Sequence, residues 1–235
     1  WECGHISDPS VNRVRWGEMG ATLPEARTAL GGRRYPTIVY MHGCSGVDIA
    51  STKTARDFVL KGGFVVVMPN SFARRHKPTS CLLAQHKSGL HRSVIYWRQD
   101  EARNAIAEAR RLPFVDLDNI FLIGLSEGAI TTATTTGNEP VNARIVEGWT
   151  CHAGWPEYFG LAAPPSEPVL ALSSVDDPWF QKAFLEGDCG TFMKYDNGSR
   201  SVVWPKSHIL HDQHFQLWHP KAMSLALAFL RRHMR

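Results

Sequence analysis

Short apolar runs and helical patterns alternate along most of the chain. The segment 37–41 (TIVYM) is a β-branched run closed by His-Gly, and 64–68 (FVVVM) is a second, closed by Pro69-Asn70. Each reads as a strand buried on both faces, because its hydrophobicity is continuous rather than alternating. Between them, 52–61 places Ala55, Phe58 and Val59 at helical spacing and stops at Gly62-Gly63. A longer helical stretch over 92–111 carries Ile95, Ala102, Ala105, Ile106 and Ala109 on one face and ends before Pro113. The third strand is 119–123 (NIFLI), followed by a helix over 126–136 in spite of the low helix propensity of its threonines. Further strands are expected at 144–147 (RIVE), 168–172 (PVLAL) and 201–204 (SVVW). From Pro220 to about 234 the pattern is a strong amphipathic helix, with Ala222, Leu225, Ala226, Phe229 and Leu230 on one face. Residues 1–34 show no such periodicity and read as an irregular N-terminal segment.

Buried strands separated by helices predict an α/β architecture: a mostly parallel central sheet with helices on both faces. No Pro-, Gly- or charge-rich linker divides the chain, so one domain over 1–235 is expected. In such sheets ligands bind beyond the carboxyl ends of the strands, which directs attention to the loops that follow them.

The third strand runs into Gly124-Leu125-Ser126-Glu127-Gly128. A G-x-S-x-G turn between a strand and a helix is a nucleophile elbow. Side chains at its glycines would collide with the neighbouring strand or helix, and the sharp turn lifts the serine hydroxyl above the sheet. Ser126 is therefore the candidate nucleophile. The first strand ends in His42-Gly43-Cys44-Ser45-Gly46, a small-residue turn able to aim an amide at a substrate oxygen. The amides of Cys44 and Glu127 are the candidate oxyanion hole, while His42 reads as structural.

A serine hydroxyl needs a base, and the base needs a carboxylate. In this architecture the chain order is Ser, acid, His. The acid is expected at Asp177, with Asp176 and then Glu147 as alternatives. The base falls in the loop holding His208, His211, His214 and His219; His208 is the expected residue and His211 the alternative. No H-E-x-x-H occurs and Asp212 has no second carboxylate nearby, so the histidines are not read as metal ligands, and no cofactor is expected. Arg74, Arg75 and Lys77 follow the second strand and are candidate binders of an anionic substrate. Trp149, Trp155, Trp179 and Trp218 lie in post-strand loops, where an aromatic can hold an acyl or aryl group.

These landmarks resemble the dienelactone hydrolase family of α/β-hydrolases. The resemblance is carried by TIVYMHGCSG at 37–46, VVVMPNSFARR at 65–75, WRQDEARNAIAEARRLPFVDLDNIFLIGLSEGA at 97–129, VLALSSVDDPWF at 169–180 and the stretches around His208 and the last helix. It covers roughly 35–235. It implies an α/β-hydrolase fold, hydrolysis of an ester or lactone through an acyl-enzyme, and a triad of Ser126, Asp177 and His208. Serine stands where the namesake enzymes carry cysteine, which moves the expectation toward serine carboxylesterases. Glu127 and Ala129 depart from the family's usual residues, and no clear His-x-Phe continuation follows His208. Amide hydrolysis on the same triad, or a non-catalytic binder of the same fold, are the alternatives.

Composition adds limits. A net charge of +4 with scattered Arg pairs is far from a nucleic-acid-binding stripe, and no apolar run is long enough for a membrane span. Small-molecule partners are expected instead. Five cysteines without C-x-x-C leave at least one free thiol and admit one or two disulfides in an oxidising compartment, their pairing open. The first residue is Trp1 rather than Met, read as a removed leader or a trimmed chain, with a periplasmic or secreted protein favoured.

Overall fold

The computed structural model describes residues 5–7, 17–194 and 196–235. Its strands are β1 (His5–Ser7), β2 (Gly17–Glu18), β3 (Tyr35–Met41), β4 (Val65–Met68), β5 (Cys81–Leu82), β6 (Lys87–Ser88), β7 (Val115–Leu125), β8 (Ala143–Glu147), β9 (Val169–Ser174) and β10 (Arg200–Trp204). Its helices are α1 (Met19–Ala29), α2 (Ile49–Gly62), α3 (Val94–Ala109), α4 (Glu127–Thr134) and α5 (Pro220–Arg232). The main sheet runs β10-β9-β8-β7-β3-β4-β1-β2. From β10 to β4 neighbouring strands are parallel; β1 and β2 close that edge antiparallel. Chain order reverses between β3 and β7, so the carboxyl ends of these two strands form the crevice where α/β sheets place their ligands.

The continuous apolar runs are explained by which side each residue serves. Ile38 and Tyr40 pack with Phe58, Leu227 and Leu230 under α2 and α5. Val39 and Met41, from the same strand, pack with Ala102 and Ile106 under α3 and with Ala26 of α1. Both faces are covered, and buried Thr37 of this strand satisfies its hydroxyl by donating to the Tyr35 carbonyl at 3.0 Å. At roughly 1.5–3 kcal/mol per fully buried large apolar side chain, this double burial is the main stabilising term.

Helix ends follow local chemistry. Asp48 caps α2 by accepting from the Ser51 amide at 3.0 Å, and Gly63 ends it in the left-handed region at φ 74°. The threonines of α4 satisfy themselves by donating back one turn: Thr131 to the Glu127 carbonyl at 2.9 Å and Thr135 to that of Thr131 at 2.6 Å. The helix nonetheless stops at Thr134, two residues before the expected end. Buried Arg144 on β8 donates to the carbonyls of Thr132 and Thr135, both at 2.8 Å, and pairs with Glu167. It thereby occupies the carbonyls that a longer helix would have used.

The expectation of an irregular segment over 1–34 is corrected. Within it lie β1, β2 and α1. Pro24 inside α1 and Gly20 near its start hide the helix from a propensity reading. Ala26 and Leu30, both buried against the sheet, hold it in place.

Cys44 is bonded to Cys81 and Cys151 to Cys189; Cys3 lies outside the described residues. The first bond fastens the turn after β3 to the β5–β6 hairpin, and the second fastens the loop after β8 to the short helical turn Cys189–Phe192. With separations of 37 and 38 residues, chain entropy alone assigns each bond about 4 kcal/mol. Thermal denaturation should therefore show the Cys151→Ser/Cys189→Ser variant melting about 10 °C below the wild type; an unchanged Tm would refute this weight for the cross-link.

Candidate functional site

The turn after β7 is built by close backbone crossing. A side chain at Gly128 would put its Cβ 2.0 Å from the Met41 carbonyl, and one at Gly124 would put it 2.1 Å from the Gly128 carbonyl. Neither contact is possible for a real Cβ, so the elbow accepts glycine alone at both positions. Between them Ser126 sits at φ 57°, ψ −119°, a conformation that costs a non-glycine residue about 1–3 kcal/mol. Its amide donates to the Glu147 carbonyl at 2.8 Å, and its carbonyl accepts from Ile130 at 3.0 Å. Ser126 opens into a narrow slot also lined by Cys44, Glu127, Trp149, Trp179 and Phe180. The two residues expected to supply oxyanion amides are thus both at the slot.

The side chain of Glu127 turns away from it. Its carboxylate is buried and accepts from Arg98 at 2.9 Å, and the same guanidinium donates to the His42 carbonyl. One buried cation on α3 therefore holds both the start of α4 and the turn after β3. His42 is itself buried and accepts from the Ser71 amide at 3.1 Å, in keeping with a structural role.

Asp177 lies where the sequence places it, after β9, but its partner is not His208. The carboxylate meets Nδ1 of His214 at 2.8 Å, with both side chains almost wholly buried. Its other oxygen accepts from the Trp179 amide at 3.0 Å. The His214 ring stacks on Trp179 at 5.4 Å and rests against Phe180 at 5.7 Å, the two aromatics that also wall the slot. Its Nε2 is buried and has no partner among the described residues. The expected base, His208, is corrected: it stacks on Trp204 at 4.4 Å, and its Nε2 faces Lys221 at 3.2 Å. Partial burial, then Lys221 and His219, lower its pKa, and it meets no carboxylate. The alternative, His211, pairs with Asp176 at 3.0 Å in a half-exposed position.

Strand spacing explains the shift. Ser126 at the end of β7 is three strands from β10, about 14 Å away. After Trp204 the chain coils on itself, with His208 bonded back to Pro205, His211 to His208 and Gln213 to Leu210. It has travelled back across the sheet only by residue 214.

The arginines expected to bind substrate are corrected as well. Arg74 is committed to Glu101, to the Ser71 carbonyl at 3.2 Å and to the face of Trp97 at 5.0 Å. Arg75 is exposed, and neither lines the slot. Of the four tryptophans, Trp149 and Trp179 wall the slot, whereas Trp218 packs on Phe215 and donates to the Ala50 carbonyl at 3.2 Å.

Glu147, at the end of β8, is fully buried below the histidine loop and accepts from the Leu217 amide at 2.7 Å. Burial pushes its carboxyl up to about 8, against the smaller opposing effects of that amide and of Lys53. It is therefore an anchor for the loop that carries His214 and not a partner of its ring.

No protein-family model and no curated protein matches the sequence. Solved structures do. A Klebsiella pneumoniae protein assigned as a dienelactone hydrolase superposes with a TM-score of 0.60 at 15% identity, covering 86% of this chain and 89% of that one. A phospholipase/carboxylesterase from Dyadobacter fermentans gives 0.58 at 15% identity over 85% and 91%. A Bacillus cereus carboxylesterase gives 0.56 at 14% identity over 85% and 89%. This chain has the α/β-hydrolase fold. The expected architecture, a mostly parallel sheet between two helical layers, is the observed one.

Two measurements test the supports of this site. Arg98→Met leaves Glu127 buried without its cation and should cost about 3–5 kcal/mol, lowering Tm by roughly 10–15 °C, while the double variant with Glu127→Leu should recover much of the loss. For Glu147 the folded pKa lies above the unfolded one. Its contribution is thus fully present below about pH 4.5 and is lost as pH rises toward about 8. Glu147→Gln should flatten that decline, raising Tm relative to the wild type more at pH 9 than at pH 5.

Proposed function

We propose that this protein is a serine hydrolase that cleaves a carboxylic ester or lactone of a small molecule through an acyl-enzyme. One observation carries the reading: the buried Asp177–His214 pair packs on Trp179 and Phe180, which wall the slot into which the strained Ser126 opens, and its Nε2 has no partner among the described residues. The likeness to dienelactone hydrolase and carboxylesterase structures supports it at the level of the fold.

In this mechanism His214 Nε2 takes the Ser126 hydroxyl proton as Oγ bonds to the substrate carbonyl carbon. The carbonyl electron pair moves to oxygen, which the amides of Cys44 and Glu127 stabilise; the dipole at the start of α4 adds to this. Asp177 holds Nδ1–H and stabilises the imidazolium. Collapse breaks the bond to the leaving oxygen, which receives the proton from Nε2. Water then repeats the sequence on the acyl-enzyme and frees Ser126. The two disulfides support an oxidising compartment such as a periplasm or the extracellular medium.

Turnover of p-nitrophenyl acetate tests this directly. Ser126→Ala and His214→Ala should each lose at least about 1000-fold in kcat, and Asp177→Asn a comparable factor. His208→Ala and His211→Ala should stay within about twofold of the wild type. A fluorophosphonate should label Ser126 alone. Wild-type rates in Ser126→Ala, or a loss in His208→Ala equal to that in His214→Ala, would refute the assignment.

A further inference from the structure

The slot at Ser126 is small, with a volume of about 10 Å³, the room of a single water. Beside it lies a far larger groove of about 290 Å³. The two share Ser88 and Trp179 in their walls, so they are immediate neighbours. Three features of the groove are unlike an ordinary surface cleft. First, its floor is aromatic: Trp155 meets Phe184 at 5.5 Å edge to face, Phe184 is 44% exposed, and Trp179 forms the inner end. Second, its rim is cationic. Lys87 and Lys182 are exposed, neither is in an ion pair among the described residues, and none of its lining residues is Asp or Glu. Arg92, over the face of Trp155 at 4.9 Å, is by contrast already neutralised by Glu157 at 2.7 Å. Third, the hairpin packs tightly on the groove's aromatic wall. Gly89 sits at φ 75°, and a Cβ there would come within 3.2 Å of the Trp155 ring, so glycine lets the β5–β6 hairpin lie close to that ring.

We propose that this groove holds the leaving group of the substrate, and that the leaving group is a planar aromatic alcohol bearing a negative charge, esterified to a short acyl group. The proposal rests on the serine hydrolase reading and deepens it. Size sets the ring: a 150 Å³ apolar cavity is enough for benzene, so 290 Å³ takes one substituted aryl ring. Stacking on Trp155 and Phe184 supplies affinity, and the two unpaired lysines select charge. The groove takes over the role first expected of Arg74 and Arg75, whose loop is folded onto α3.

The test compares the acetate ester of 4-hydroxybenzoate with that of its methyl ester, identical in the reacting bond and differing in one negative charge. Dividing wild-type by variant kcat/KM for each substrate cancels their intrinsic reactivities. Lys87→Ala/Lys182→Ala should lower the anionic-over-neutral ratio of kcat/KM about 5-fold, two exposed charges each contributing a modest factor. Trp155→Ala should raise KM for both aryl esters and leave KM for ethyl acetate unmoved. If the wild type cleaves both aryl esters and the lysine variant leaves their ratio unchanged, the groove assignment is overturned and the hydrolase reading stands. If the wild type cleaves neither and Ser126 resists a fluorophosphonate, both fall.

Discussion

The crossing of the β7–α4 turn over the end of β3 is the constraint on which the site depends. Where the backbone of Gly128 passes the carbonyls of Met41 and His42, no side chain fits. That contact brings the two strands on either side of the topological switch to within touching distance at their carboxyl ends. It forces Ser126 into a backbone conformation that ordinary residues avoid. It also brings Cys44 and the first residue of α4 to the same slot. Strain at 126 persists because the surroundings over-determine it: the sheet hydrogen bond to Glu147, the two glycines and the Arg98 clamp all fix the same turn.

The second half of the site is assembled differently, by a loop that must travel. The segment after β10 crosses back over β9 and β8 and is fastened beneath by polar contacts as well as by the buried side chains of Leu210 and Leu217. Gln216 donates to Ser174 at 3.1 Å and to the Gln213 carbonyl at 2.6 Å, and Leu217 donates to buried Glu147. A carboxyl held largely protonated at neutral pH is a weak point in stability terms, yet it gives the loop an acceptor at a depth where water cannot compete. The fold thus tolerates one unfavourable ionisation equilibrium in order to fix the position of an imidazole beside the end of β8, two strands from its origin.

The parts of this architecture that sequence makes legible are those governed by short-range rules. The strand over 37–41 and the helix ending at Gly62-Gly63 obey periodicity and capping, and both occur within a few residues of expectation. The elbow is legible because its two glycines answer a steric demand. By contrast, β7 begins at Val115, four residues earlier than its apolar run, because Asp116 and Asp118 sit where the strand is open to solvent and carry no hydrophobic signal. Helix α1 hides behind Pro24. His214 is illegible to a rule that counts from the end of a strand, since its place depends on how many residues the loop spends coiling before it crosses the sheet. Arg74 misleads for a related reason: charge in a loop says nothing of the Glu101 that awaits it on α3.

Two Asp–His pairs stand side by side, and the physics separates them. Asp176 and Asp177 lie in the turn after β9, and each reaches a different histidine. Asp176 and His211 are each more than a third exposed, where water and salt reduce a charge pair to little. Asp177 and His214 are buried against Trp179, where the effective dielectric is lower and the same separation of charge is stabilised more strongly. Proton transfer to an imidazole is helped by a carboxylate only if solvent does not screen it, and only if the opposite ring nitrogen faces the reacting atom. The exposed pair fails the first of these demands. The proposed chemistry therefore draws on the aspartate buried against Trp179, and the neighbouring pair, identical in composition, sits at the surface.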